Sequence, residues 1–314
     1  MNIIMDVATH TKPDASGFSR RLTRRLFTRL VMLGSMTLLS AHAIAEVPAA
    51  LSQDSVRTIE QEVDARMGVA VLDTADGTRF TYRGDERFPM SSTFKALACG
   101  SMLALVDAEQ ESLQRKVKIK PEAVVTYSPV TETQTEGDGL TLSELCNAAV
   151  TISDNTAGNL ILDAVGGPAG LTAYLRSLGD DTTRLDRTET SLNEATPGDV
   201  RDTTTPNAMV TTLQKLLLGD ALSEDSRIKL QSWLLANTTG EGKLRDALPA
   251  GWQIGDKTGG GGHGTNNDVA IIWPPGHAPL IVAVYLTESD ASLAQRNAAI
   301  AGIGRLLVTQ AGQR

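Results

Sequence analysis

The chain has 314 residues, of which 41% are hydrophobic and 21% charged, a balance that argues against disorder and leaves enough length to bury a large core in one domain or two. A formal charge of −8 argues against nucleic acid as a partner, because phosphate contacts need clustered Lys and Arg. Aromatic residues are only 4%, so Leu, Val, Ile and Ala must fill the interior.

The chain opens on a basic stretch, Arg20, Arg21, Arg24, Arg25 and Arg29, followed by an apolar run over residues 30–40 and by Ala43-Ile44-Ala45. That order predicts an export signal over residues 1–45, removed after Ala45, and a folded domain over residues 46–314. The apolar run is too short to span a bilayer. Thr23-Arg24-Arg25-Leu26-Phe27 also fits a twin-arginine signal, so the Sec and Tat routes both stay open, and an uncleaved basic anchor is the competing reading. Removing residues 1–45, with Lys12 and five arginines against Asp6 and Asp14, takes the formal charge from −8 to −12. The expected product is a periplasmic protein, free of the membrane and monomeric.

Residues 55–66 then read as a polar helix, 68–73 as a buried strand, Asp76-Gly77 as a turn and 79–83 as the returning strand. From Ser92 to about Asn237 the apolar residues recur at helical spacing. The strand pattern returns over 251–258, 267–273 and 280–287, and 290–308 reads as a final amphipathic helix. The predicted class is α/β in the α+β sense. Strands from both chain ends close one antiparallel sheet flanked by helices, the middle of the chain makes an all-helical lobe, and a cleft separates the two. The glycines at 259–262 predict a turn or an edge that another segment approaches closely.

Cys99 and Cys146 are the only cysteines. In an oxidising exported location they can pair; without the signal they read as buried thiols. With His263 and His277 they make no convincing zinc set, and neither a metal nor a cofactor is expected.

Three short motifs carry candidate chemistry. Ser92 and Lys95 lie three apart at the start of a helical pattern, so they share a face. A serine becomes a good nucleophile only when a neighbouring base takes its proton, and a helix start adds N–H donors for developing negative charge. The competing reading of Ser92 is a helix cap. Ser153-Asp154-Asn155 interrupts an apolar run, which also fits Asx capping. Lys257-Thr258-Gly259 ends a strand, where a cation can meet an anionic substrate; a surface lysine before a turn would look the same.

In this order and spacing the three motifs resemble those of the class A serine β-lactamases and penicillin-binding proteins, and the resemblance runs from about Ser55 to the C-terminus. It implies the β-lactamase/transpeptidase-like fold and a resistance-conferring hydrolase that attacks small-molecule β-lactams such as penicillins and cephalosporins. A fourth stretch, residues 187–204, is similar to the omega loop of class A enzymes. The resemblance makes Ser92 the nucleophile, with Lys95, or Glu189 through water, the base of acylation. Ser153 passes a proton to the ring nitrogen. The N–H groups of Ser92 and Gly260 form the oxyanion hole, Lys257 and Thr258 hold the substrate carboxylate, and Asn155 holds its side-chain amide. Glu189 and Asn193 hold the hydrolytic water, Arg187 and Asp202 close the loop, Cys99 pairs with Cys146, and Tyr127 gates the cleft mouth unless it is a packing residue.

Some members of the family carry an arginine where Asn266 stands, and Lys243 is the candidate to supply that charge here unless it is a surface lysine. Ser91 stands where carbapenemases of the class have a cysteine, and no further cysteine exists for their extra disulfide, which argues against strong carbapenem hydrolysis. Gly260 and Gly261 leave the strand edge open to bulky cephalosporins. A transpeptidase of the same fold would share Ser92, Lys95, Ser153 and Lys257 but lack the Glu189–Asn193 loop. A sensor would sit on a transmembrane module, and a solute-binding protein would have no use for the motifs.

Overall fold

The computed structural model describes residues 50–312. The expected export signal over residues 1–45 and its cleavage point lie outside the described residues.

Helix α1 (Gln53–Glu62) starts at a capping box, in which Ser52 and Ser55 each accept from the other's backbone N–H. It stops four residues before the predicted limit: Asp64 takes φ 41°, outside the helical region, and β1 begins at Arg66. β1 (Arg66–Asp73) pairs with β2 (Arg79–Tyr82) across the Asp76-Gly77 turn. The other long strands come from the far end of the chain: β7 (Gln253–Gly260), β8 (Asn266–Trp273) and β9 (Leu280–Thr287). The sheet runs β2-β1-β9-β8-β7 with every pair antiparallel, so strands from the two chain ends close one sheet as expected, and they meet where β1 pairs with β9.

The inner strands are buried on both faces, so their apolar residues run consecutively rather than alternating, with the buried Asn266, Asn267 and Asp268 at the start of β8 the exception. Their side chains divide by the two-residue period. Met67, Val69, Val71, Val282 and Val284 pack with α1 and α8 (Leu293–Ala311), whereas Ala70, Leu72, Ile281, Ala283 and Tyr285 face the helical lobe.

The lobe is built on α2 (Phe94–Asp107), whose residues from Phe94 to Leu103 are all buried. A helix apolar on every side belongs in the middle of a bundle. Around it lie α3 (Leu142–Thr151), α4 (Asn155–Ala164), α5 (Gly167–Ser177), α6 (Pro206–Leu217) and α7 (Glu224–Leu235). Thr141, Asp154, Thr205 and Ser223 cap α3, α4, α6 and α7. Cys99 on α2 and Cys146 on α3 form a disulfide.

The predicted helical middle is not continuous. Residues 108–141 and 178–205 are mostly turns, 3₁₀ segments and two-residue strands: β3 (Phe88–Pro89) pairs with β6 (Thr203–Thr204), and β4 (Lys116–Val117) with β5 (Leu140–Thr141). Both stretches are rich in Thr and contain Gly and Pro, the second is also rich in Asp, and side-chain hydrogen bonds to nearby backbone groups, such as those of Asp180, Asp186 and Asp199, hold parts of them in place of helical ones.

Candidate active site

Ser91–Thr93 form a 3₁₀ turn that leads into α2, and Ser92 lies in this turn rather than at a helix cap. Ser91 has φ 44°, in the left-handed region that is uncommon for non-glycine residues. One helical turn on, the Lys95 ammonium donates to Ser92 Oγ at 3.0 Å, Ser153 O at 2.8 Å and Asn155 Oδ1 at 2.6 Å, and lies 3.4 Å from Ser153 Oγ. Lys95 is fully buried. Burial pushes its pKa down, and the Glu189 carboxylate, paired with it at 3.0 Å, acts in the opposite direction.

Room for Lys95 depends on a glycine. A Cβ at Gly158 on α4 would stand 2.7 Å from Lys95 Cε.

The Ser153-Asp154-Asn155 turn serves two ends. Asp154 is the predicted Asx cap: its buried carboxylate accepts from Ala157 N on α4, from Val130 N and Thr131 N, and from Thr131 Oγ1. That anchorage turns Ser153 and Asn155 toward Lys95. Ser153 has φ 62°, and its Oγ accepts from Lys257 Nζ at 3.0 Å. Asn155 Nδ2 donates to Thr126 O at 2.8 Å, and its N–H to Tyr127 O at 3.0 Å. Tyr127 itself has φ 63° and is 57% exposed, so the packing reading of this residue is wrong.

Glu189 comes from the long irregular segment. Ser92 Oγ donates to Glu189 Oε1 at 3.2 Å, and Asn193 Nδ2 donates to Oε2 at 2.6 Å. Asn193 Oδ1 is buried with no partner among the described residues. The backbone of Glu189 is gripped at both polar ends by Asn159: Glu189 N donates to Asn159 Oδ1 at 2.8 Å, and Asn159 Nδ2 donates to Glu189 O at 3.0 Å. Asp202 closes the segment by accepting from the N–H groups of Asp186 and Arg187 and from Arg187 Nε at 2.6 Å; Glu194 also pairs with Arg187.

The opposite wall is β7. Lys257 is fully buried and donates to Ser153 Oγ and to Thr258 O. Burial, reinforced by the positive charges of Lys95 and Lys243, holds its pKa well below the ordinary lysine range. Thr258 lies on the other face of the strand, with its hydroxyl bonded to that of Thr239. The glycines do make a close-approach edge. Cβ atoms at Gly259 and Gly261 would stand 2.8 Å from Met90 O and from Ser91 Oγ respectively, and Gly262 N donates to Asn193 O. Gly260 therefore runs beside the Ser92 turn. Lys243 is buried, not on the surface, and donates to Asn267 O at 3.1 Å. Asn266 donates to Asn297 on α8.

The structure thus gathers Ser92, Lys95, Ser153, Asn155, Glu189, Asn193 and Lys257 into one hydrogen-bonded network, with Thr258, Gly260 and Tyr127 around it. Sequence reasoning missed Asn159 and Gly158. Asn159 follows Asn155 by four residues on α4, so the two share a face, and that spacing was the available signal. Gly158 gave none, because its neighbour Lys95 is distant in the chain. No group of three or more His, Cys, Asp or Glu side chains that could hold a metal occurs among the described residues, and none of their helices is long and apolar enough to cross a membrane.

Residues 51–311 match the model of the β-lactamase enzyme family. The chain is 51% identical over 253 residues to β-lactamase AER-1 of Aeromonas hydrophila, covering 81% of this chain and 83% of that one. It is 45% identical over 309 residues to β-lactamase AST-1 of Nocardia asteroides, covering 95% and 99%. Among solved structures it is similar to an ancestral class A β-lactamase, with TM-score 0.81 and 60% identity over 82% of this chain and 98% of that one. A class A protein from Rhodopseudomonas palustris gives TM-score 0.81 and 55% identity over 83% and 99%. A family match over nearly all the described residues, with relatives this similar in sequence and structure, means that the chain belongs to the class A β-lactamases.

Proposed function

We propose that this chain, a β-lactam hydrolase of the kind that confers resistance to β-lactam antibiotics, works through an acyl-enzyme on Ser92. The observation that carries the residue roles is the Ser92–Lys95–Glu189 triangle: Ser92 Oγ lies 3.0 Å from Lys95 Nζ and 3.2 Å from Glu189 Oε1.

In this reading Ser92 Oγ attacks the lactam carbonyl carbon and its proton passes to Glu189, while the Lys95 ammonium stabilises the developing alkoxide. The N–H groups of Ser92 and Gly260 receive the oxyanion, and losing one such donor typically costs about 2.7–4 kcal/mol in the transition state. The carbon–nitrogen bond then breaks, and Ser153 gives its hydroxyl proton to the departing nitrogen. Its contacts with Lys95 and Lys257 make that proton easy to replace. Lys257 and Thr258 hold the substrate carboxylate, with the buried Lys243 adding positive charge, and Asn155 holds the side-chain amide. The proton on Glu189 passes through Lys95 to refill Ser153, and the freed carboxylate then takes a proton from water, whose oxygen attacks the ester carbonyl; that proton goes to Ser92 Oγ as the ester carbon–oxygen bond breaks. The unpartnered Asn193 Oδ1 beside Glu189 supports a water at that place, because it is an acceptor waiting for a donor.

Residues 1–45 act as the export signal in this reading, so that the mature monomer works outside the cytoplasm; intact mass of the secreted protein tests the cut after Ala45. A nitrocefin assay tests the function. Many turnovers per enzyme are expected. A single stoichiometric burst would make the chain a sensor or a transpeptidase instead.

A further inference from the structure

Behind Thr258, on the face of the sheet that α8 covers, lies a group of charged side chains of which the proposed reaction uses only Lys243. Asp256 and Thr258 alternate with Lys257 along β7, and Asp268 on β8 stands directly opposite Thr258. Asp256 and Asp268 are both fully buried. Lys243 and Arg245 reach the same place from the segment before β7, and the remaining cross-strand neighbour of Asp268 is the apolar Val284.

The two carboxyl groups are provided for very differently. Asp256 pairs with Arg245 and accepts from Asn237 Nδ2 at 2.7 Å. Asp268 accepts one backbone N–H, from Leu244 at 3.2 Å, and its Oδ1 has no partner among the described residues. Among the described residues Lys243 forms no ion pair with either; its ammonium donates to Asn267 O. Asp154, equally buried, has four donors. A carboxylate needs several donors or a close cation to stay charged away from water, and a neutral acid does not. Burial and the nearby charge of Asp256 both push the Asp268 carboxyl well above the usual range, against the opposing pull of Lys243 and Arg245.

We propose that Asp268 is held as a neutral carboxylic acid, so that the only nearby anion is Asp256, which is tied to Arg245, and the charge of the Lys243 ammonium stays available to the β-lactam carboxylate at Thr258. An ionised Asp268 would cancel that charge from one strand away. Asp268 is thus a positioning residue acting through Lys243, and the inference rests on the reading of Lys257 and Thr258 as the carboxylate subsite.

Infrared difference spectroscopy at neutral pH reads the proton directly. The parent enzyme should show the carbonyl stretch of a protonated carboxyl, which Asp268→Asn removes and Asp256→Asn keeps. Asp268→Asn, which imitates the neutral acid in shape and charge, should leave KM and kcat for a penicillin within about twofold of the parent. Lys243→Met should raise KM about tenfold or more for that penicillin, with kcat less affected, and should leave KM for its methyl ester unchanged. A parent spectrum without the band, or a KM in Asp268→Asn that falls severalfold through removal of an anion, overturns the proposal. If the band behaves as expected but Lys243→Met leaves KM untouched, the carboxylate reading fails and the link from Asp268 to substrate fails with it.

Discussion

Replacing Glu189 by alanine separates the two halves of the reaction. The side chain is buried, accepts from Ser92 Oγ at 3.2 Å and from Asn193 at 2.6 Å, and pairs with Lys95 at 3.0 Å. In acylation a substitute base is at hand. Without Glu189 the lysine loses the anion that keeps it protonated, while burial continues to push its pKa down, so a neutral Lys95 amine can take the Ser92 proton across 3.0 Å. In the proposed deacylation Glu189 activates the water, and no other carboxylate touches Ser92 among the described residues. Deacylation should therefore slow by about 10²–10⁴-fold, the usual worth of a positioned general base. The fold should survive: breaking a buried ion pair costs about 3–5 kcal/mol, and Lys95 keeps its acceptors on Ser153 and Asn155, which places the loss toward the lower end. The assay is intact-protein mass spectrometry during exposure to a penicillin, beside steady-state turnover. The expected result is a lasting mass increase equal to the intact drug, carried on Ser92. Turnover at the parent rate with no adduct would refute the role given to Glu189.

Four further outcomes follow from the geometry. In its proposed role Lys257 holds the carboxylate only while protonated, and its pKa is lowered, so KM should rise with pH on the alkaline side below the ordinary lysine range. Lys257→Arg should flatten that limb, since guanidinium does not titrate there. The unfolded chain binds the Lys257 proton more tightly than the folded one, so this residue makes stability increase with pH between its lowered and ordinary values, measurable by denaturant titration at several pH values. Replacing Cys99 and Cys146 together by serine opens a crosslink spanning 47 residues and should cost about 4 kcal/mol in the chain-entropy model, read by the same titrations. Gly158→Ala puts a methyl group 2.7 Å from Lys95 Cε. It should lower stability by about 1–3 kcal/mol through overpacking, and kcat for acylation, followed by stopped-flow, should fall as the ammonium is pushed from Ser92.

The sequence by itself determined the strands and their arrangement from the two ends of the chain, because a strand buried on both faces must be written as an apolar run and its partners must carry matching runs. It also marked the candidate reacting groups, because the order of three short motifs, Ser92 with Lys95, Ser153 with Asn155, and Lys257 with Thr258, resembles that of the class A enzymes. The tertiary structure alone decided the burial of Lys243, the exposure of Tyr127, the grip of Asn159 on Glu189, the need for glycine at 158 and the contrast between Asp256 and Asp268. Each of these depends on which atoms from distant parts of the chain surround a side chain. Solvation, available donors and free space are properties of that surrounding, and neither periodicity nor composition encodes them one residue at a time.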